Sequence, residues 1–121
     1  MVKVGVIQMS CSPNSLENME RAVSKIEEAA YSGAQLMCLP ELFQSQYFCQ
    51  REDATLFDLA EAIPGPTTET LSQVARRKNV SIVASLFERR AAGIYHNSLV
   101  VIDETGEIVG LYRKMHIPDD P

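Results

Sequence analysis

The chain has 121 residues, is 45% hydrophobic and 22% charged, and carries a formal charge of -5. That is the size of one small domain with one core, and the mixture excludes a disordered or collagen-like chain. The acidic balance disfavours a nucleic-acid partner, whose phosphates demand clustered Lys and Arg. Three scattered cysteines without a Cys-x-x-Cys pair argue against a disulfide framework or a zinc site and fit a reducing compartment.

Residues 2–9 form a β-rich apolar run and predict a buried first strand. The run is too short for a signal peptide and lacks a small-residue cleavage site, and no stretch approaches the length of a membrane span, so a cytoplasmic protein is expected. Pro13 marks a loop, after which Asn14 or Ser15 caps a helix, with Glu17 completing a variant of the capping box. Leu16, Met19, Ala22, Val23, Ile26, Ala29 and Ala30 recur at three-and-four spacing, so one helix face packs on a sheet, and Gly33 is the expected stop.

Leu36-Met37-Cys38-Leu39 then reads as a strand buried on both faces. A helix between two apolar strands is a crossover that makes them parallel, so the fold class is α/β. Glu41 falls where this strand stops, and ligands of open α/β sheets bind at the carboxyl ends of strands. The alternative is a carboxylate in an ordinary exposed loop.

Asp53 is expected to cap a short helix through Leu56, Leu59 and Ala60, and Ile63-Pro64-Gly65-Pro66-Thr67 is a turn with Pro66 at the first position of a further helix. Leu71, Val74 and Ala75 give that helix its buried face, and Arg76, Arg77 and Lys78 complement the dipole of its last turn. Residues 80–87 predict a third core strand. Residues 95–102 and 107–112 flank Asp103-Glu104-Thr105-Gly106, a type I turn with a left-handed Gly, and predict an antiparallel hairpin that makes the sheet mixed. The last nine residues, from Arg113 to Pro121, have no periodicity and suggest an extended loop cut from a longer chain.

A Glu and a Lys brought together make a salt bridge, and with a thiol beside them they make a hydrolytic site. The Glu takes the thiol proton and the Lys neutralises the oxyanion of a tetrahedral intermediate. None of the three cysteines is well placed for that role. Cys38 is expected as an inert core thiol, Cys11 lies in a loop, and Cys49, in the Glu41 loop, either lines the site or packs under the loop. His96 and His116 are too far apart to suggest a metal site; His96 suits a structural hydrogen bond, and His116 could help to hold the Lys114 loop. The glycines match no phosphate-binding loop, so neither a cofactor nor a metal is expected.

Leu39-Pro40-Glu41-Leu42-Phe43 followed by Tyr112-Arg113-Lys114-Met115-His116-Ile117-Pro118 resembles the nitrilase superfamily of carbon–nitrogen hydrolases. The opening strand, the Ile63–Thr67 turn and Tyr95-His96-Asn97-Ser98 extend the resemblance over the whole chain. It implies the N-terminal part of a four-layer αββα sandwich, with a mixed sheet and helices on one face. It also implies a Cys-Glu-Lys triad in which Glu41 is the general base and Lys114 stabilises the tetrahedral intermediate, with Tyr47 a candidate for contact with substrate. The family's nucleophilic Cys and a second supporting Glu would lie beyond Pro121, so residues 1–121 read as a partial domain, inactive alone. A small carbamoyl or amide substrate, no nucleic acid or membrane partner, and a homo-oligomer are implied. The competing expectation is a non-catalytic binding or assembly module that keeps the sheet without the chemistry.

Overall fold

A computed structural model of the chain describes residues 1–48 and 53–117. Helix α1 (Ser15–Tyr31) starts at Asn14, whose side chain accepts from the N–H groups of Leu16 and Glu17. Glu17 instead accepts from the Ser12 hydroxyl, so only the Asn half of the expected capping box forms. The helix ends with paired bonds from Gly33 N–H to Ala30 O and from Ala34 N–H to Ala29 O, a Schellman closure. That closure needs the left-handed φ of 89° which Gly33 adopts without a Cβ penalty.

Strands β1 (Val4–Val6), β2 (Leu36–Cys38), β3 (Ser81–Ala91), β4 (Ile94–Ile102) and β5 (Ile108–Arg113) form one sheet in that spatial order. The first three are parallel and the last two antiparallel, so the sheet is mixed as expected. Strand β3 continues past Phe87 to Ala91 and turns back through Ala92-Gly93, a tight hairpin that the apolar run did not announce because Glu88, Arg89 and Arg90 interrupt it. The Asp103–Gly106 turn closes the β4–β5 hairpin as the sequence predicts, with Gly106 at φ 83°.

Helix α2 (Pro66–Lys78) follows a short 3-10 helix (Ala54–Leu59) capped by Asp53. Its basic end ties elements together: Arg76 donates to Thr105 O at 2.8 Å and Arg77 pairs with Glu27 of α1 at 2.6 Å. Both helices pack on one face of the sheet, where Ile26, Met37, Leu71, Ile82, Val100 and Ile102 are fully buried. Each such side chain contributes about 1.5–3 kcal/mol by leaving water.

Among the described residues neither α-helix covers the other sheet face, and its β1–β2 side corrects two expectations. Strand β1 is exposed at Val4 (54%) and Val6 (80%), and Cys38 on β2 is exposed rather than a core thiol. Side chains alternate along a strand, so Met37 points under the helices while Cys38 points away. An apolar run alone cannot distinguish a strand covered on both sides from one covered on one side.

Candidate active site

β2 stops at Cys38, and Leu39 still bonds to β3 through Val83 O at 3.0 Å before the chain turns at Glu41. The turn is anchored from below. Leu42 and Phe43 are buried, and Leu42 takes a left-handed φ of 50°, which costs a non-glycine residue about 1–2 kcal/mol. Ser85 on β3 offsets part of this by accepting the Leu42 N–H at 3.2 Å. Asn18, fully buried on α1, accepts from Ser12 N–H and donates to both Ser12 O and Gln44 O, so it fastens the loop after β1 to the Glu41 turn.

Glu41 and Lys114 meet at the end of this scaffold. Lys114 Nζ donates to Glu41 Oε1 at 3.0 Å, and Asn97 Nδ2 donates to the same oxygen at 2.7 Å. Ser85 Oγ donates to Asn97 Oδ1, which fixes the amide so that its NH2 faces the carboxylate. The main chain closes the arrangement, because Lys114 N–H donates to Asn97 O at 2.9 Å. The Lys114 ammonium and then the Asn97 amide hold the Glu41 carboxyl below the usual carboxylate range. Glu41 is therefore ionised at neutral pH, in the form that can accept a proton. Its side chain is 47% exposed and that of Lys114 34%, so a ligand can reach both.

Two hollows adjoin the pair. One, of about 400 Å³, opens on that other sheet face between Cys38, Glu41, Leu99, Tyr112 and Lys114. The other, of about 280 Å³, is walled by Phe48, Phe87, Tyr95 and His96 and shares Asn97 and Lys114. The Phe48 and Phe87 rings meet tilted at 4.7 Å, as do Phe57 and Tyr95 at 4.5 Å.

The other sequence candidates fall around this centre. Tyr47 lines an adjoining groove with Pro13, Gln46 and Asp53, while its neighbour Phe48 lines the hollow that includes Lys114. Cys11 donates to Phe43 O at 3.2 Å, and burial, against the pull of Arg21, raises its pKa, which favours an inert thiol. His96 Nε2 is buried with no hydrogen-bond partner among the described residues, and His116 is exposed. Cys49 and Pro118–Pro121 lie outside the described residues. Sequence reading missed Asn97, Ser85 and Asn18 as holders of the site. No local pattern marks them: Asn18 sits on a helix rich in other polar residues, and Asn97 stands between His96 and Ser98.

The sequence profile of carbon-nitrogen hydrolases matches residues 3–121. The chain belongs to the carbon-nitrogen hydrolase family. It is 41% identical over 98% of its length to a citrullinase of Francisella tularensis, covering 41% of that protein. It is 39% identical to an N-carbamoylputrescine amidase of Oryza sativa, over 99% of this chain and 40% of that one. A carbon-nitrogen hydrolase from Helicobacter pylori has the same fold, with a TM-score of 0.92 and 39% identity over 98% of this chain and 41% of that structure. The chain thus spans about two fifths of the length of these relatives. The nitrilase fold expected from the motifs is present over the described residues, and the family acts on small amide substrates.

Proposed function

We propose that residues 1–121 carry two of the three catalytic groups of a thiol-dependent carbon–nitrogen hydrolase, with Glu41 as general base and Lys114 as oxyanion stabiliser. The observation that supports this most is the Lys114–Glu41 contact at 3.0 Å, with Asn97 on the same oxygen, in a position open to a ligand. With Oε1 held by these donors, Oε2 is the oxygen that takes the thiol proton. We take the thiol from a segment outside these residues, as the family resemblance implies, and the burial that raises the Cys11 pKa agrees with an inert thiol there. Residues 1–121 are then a partial catalytic domain, inactive alone.

The substrate we propose is a ureido compound, N-carbamoylputrescine first. Glu41 through Gln50 and His116 through Pro121 resemble the enzymes that act on it, and a relative of that name is 39% identical. The thiolate attacks the carbamoyl carbon, Lys114 stabilises the oxyanion, and ammonia leaves with the proton that Glu41 returns. Water activated by Glu41 then cleaves the thiocarbamoyl enzyme, and the carbamate released breaks down to putrescine and carbon dioxide. Citrulline, suggested by the 41% identical relative, presents the same ureido group and is the second reading. A cytoplasmic homo-oligomer in the polyamine pathway completes the proposal.

Grafting residues 1–121 onto the remainder of the H. pylori hydrolase gives a complete chain for assay. The chimera is expected to release ammonia from N-carbamoylputrescine, and Lys114→Ala is expected to lower kcat about 10²–10³-fold. Undiminished turnover in a folded Lys114→Ala chimera would remove Lys114 from the mechanism.

A further inference from the structure

Glu88 on β3 is a carboxylate only 2% exposed, on the opposite sheet face from Glu41, and the site described above makes no use of it. It is fully partnered. Arg113 at the end of β5 grips it with a two-pronged contact, Nε to Oε2 at 2.8 Å and a terminal nitrogen to Oε1 at 2.7 Å. Ser98 Oγ on the intervening strand β4 adds a bond to Oε2 at 2.6 Å, and His96 lies directly opposite Glu88 in the register. The carboxylate thus joins β3 to β5 across β4.

Arg113 immediately precedes Lys114, and that adjacency matters because β5, among the described residues, pairs with β4 alone. Its pairing with β4 contains an irregularity between Val101 and Ile102, close to the Asp103–Gly106 turn, so the turn end alone fixes its register weakly. Successive side chains point to opposite faces, and a slip of one residue would carry Lys114 from the Glu41 side of the sheet to the helix side. At the far end of the strand, Arg113 stands opposite Ser98 and is held by Glu88. A planar guanidinium fork on a buried carboxylate tolerates little displacement, in contrast to a single ammonium contact.

We propose that the Glu88–Arg113 pair is a register lock that aligns β5 so that Lys114 emerges beside Glu41. Both are positioning residues, acting through Lys114. Their purpose in catalysis rests on the reading of Glu41 and Lys114 given above, while the lock itself is a property of the strand.

The two can be tested apart, because the lock is measurable without turnover. Carbon-13 NMR of the Glu41 carboxyl group and hydrogen exchange at the Lys114 amide both report whether Lys114 is in place. In Glu88→Gln the Glu41 titration midpoint is expected to move up toward the ordinary carboxylate value and the Lys114 amide to exchange faster, with the Val74 amide of α2 unchanged. A folded Glu88→Gln chain in which both Glu41 and Lys114 behave as in the parent overturns the proposal. Should that variant not fold, Glu88→Met/Arg113→Met removes the buried charges together, which a fold commonly tolerates. The same two signals then decide, and parent-like behaviour again overturns the lock. A lock that holds in a chain whose chimera is inactive would count against the hydrolase reading alone.

Discussion

The Glu41 carboxylate shares one oxygen between an ammonium and an amide, and both donors favour its ionised form. Glu88, held chiefly by Arg113, and Asp103, held chiefly by the Thr105 side chain, are lowered in the same direction. A carboxyl whose folded value lies below its unfolded one contributes stability above the unfolded value, near pH 4, and loses it as pH falls through its own lower value. The urea midpoint is therefore expected to hold between pH 7 and about 5 and to fall below about 4, less steeply in Glu88→Gln. An equal midpoint at pH 3 and pH 6 would contradict these assignments. Glu41 and Lys114 were legible in the sequence because each sits in a distinctive motif. Asn97, Ser85 and Asn18 were not, because their importance lies in contacts to residues 26 to 56 positions away or to a partner in another strand.

Among the elements, α1 and α2 were legible nearly to the residue, since apolar spacing and capping chemistry are local properties of the chain. Strand faces were not legible. The apolar run at Leu36 gave the strand but not which side was covered, and Cys38 changed from core thiol to exposed residue for that reason. The β4–β5 turn shows how local chemistry and packing combine. Gly106 has a left-handed φ of 83°, and a Cβ there would meet Ser72 O of α2 at 2.6 Å. Gly33 shares the left-handed φ, at 89°, but a Cβ there would find its nearest neighbour, the Lys3 side chain, at 3.7 Å. Gly33→Ala is expected to cost only the backbone term of about 1–2 kcal/mol, and Gly106→Ala measurably more, because the turn must also lift from α2. Equal losses of thermal stability in the two variants would show that the turn does not press on the helix.

At the scale of the molecule, the fold is one-sided: two helices cover one face of a five-stranded sheet, and the other face presents Val4, Val6, Cys38 and Tyr112 to solvent. Glu41 and Lys114 stand at the rim of that open face, which agrees with a chain that spans about two fifths of its relatives. The strand–helix–strand order made the α/β class readable and the motifs singled out Glu41 and Lys114, whereas the substrate is not encoded in any described contact. What the described residues do supply is an ionised carboxylate and an ammonium 3.0 Å apart and open to a ligand, the arrangement that the proposed mechanism needs. The measurement that bears most directly on this is mass spectrometry of the acyl-enzyme in the H. pylori chimera carrying Glu41→Gln. The Gln side chain can keep a contact to Lys114 but cannot take the thiol proton, so the variant is expected to bind N-carbamoylputrescine with neither thiocarbamoyl adduct nor ammonia release. An adduct formed at the parental rate would show that Glu41 is not the base.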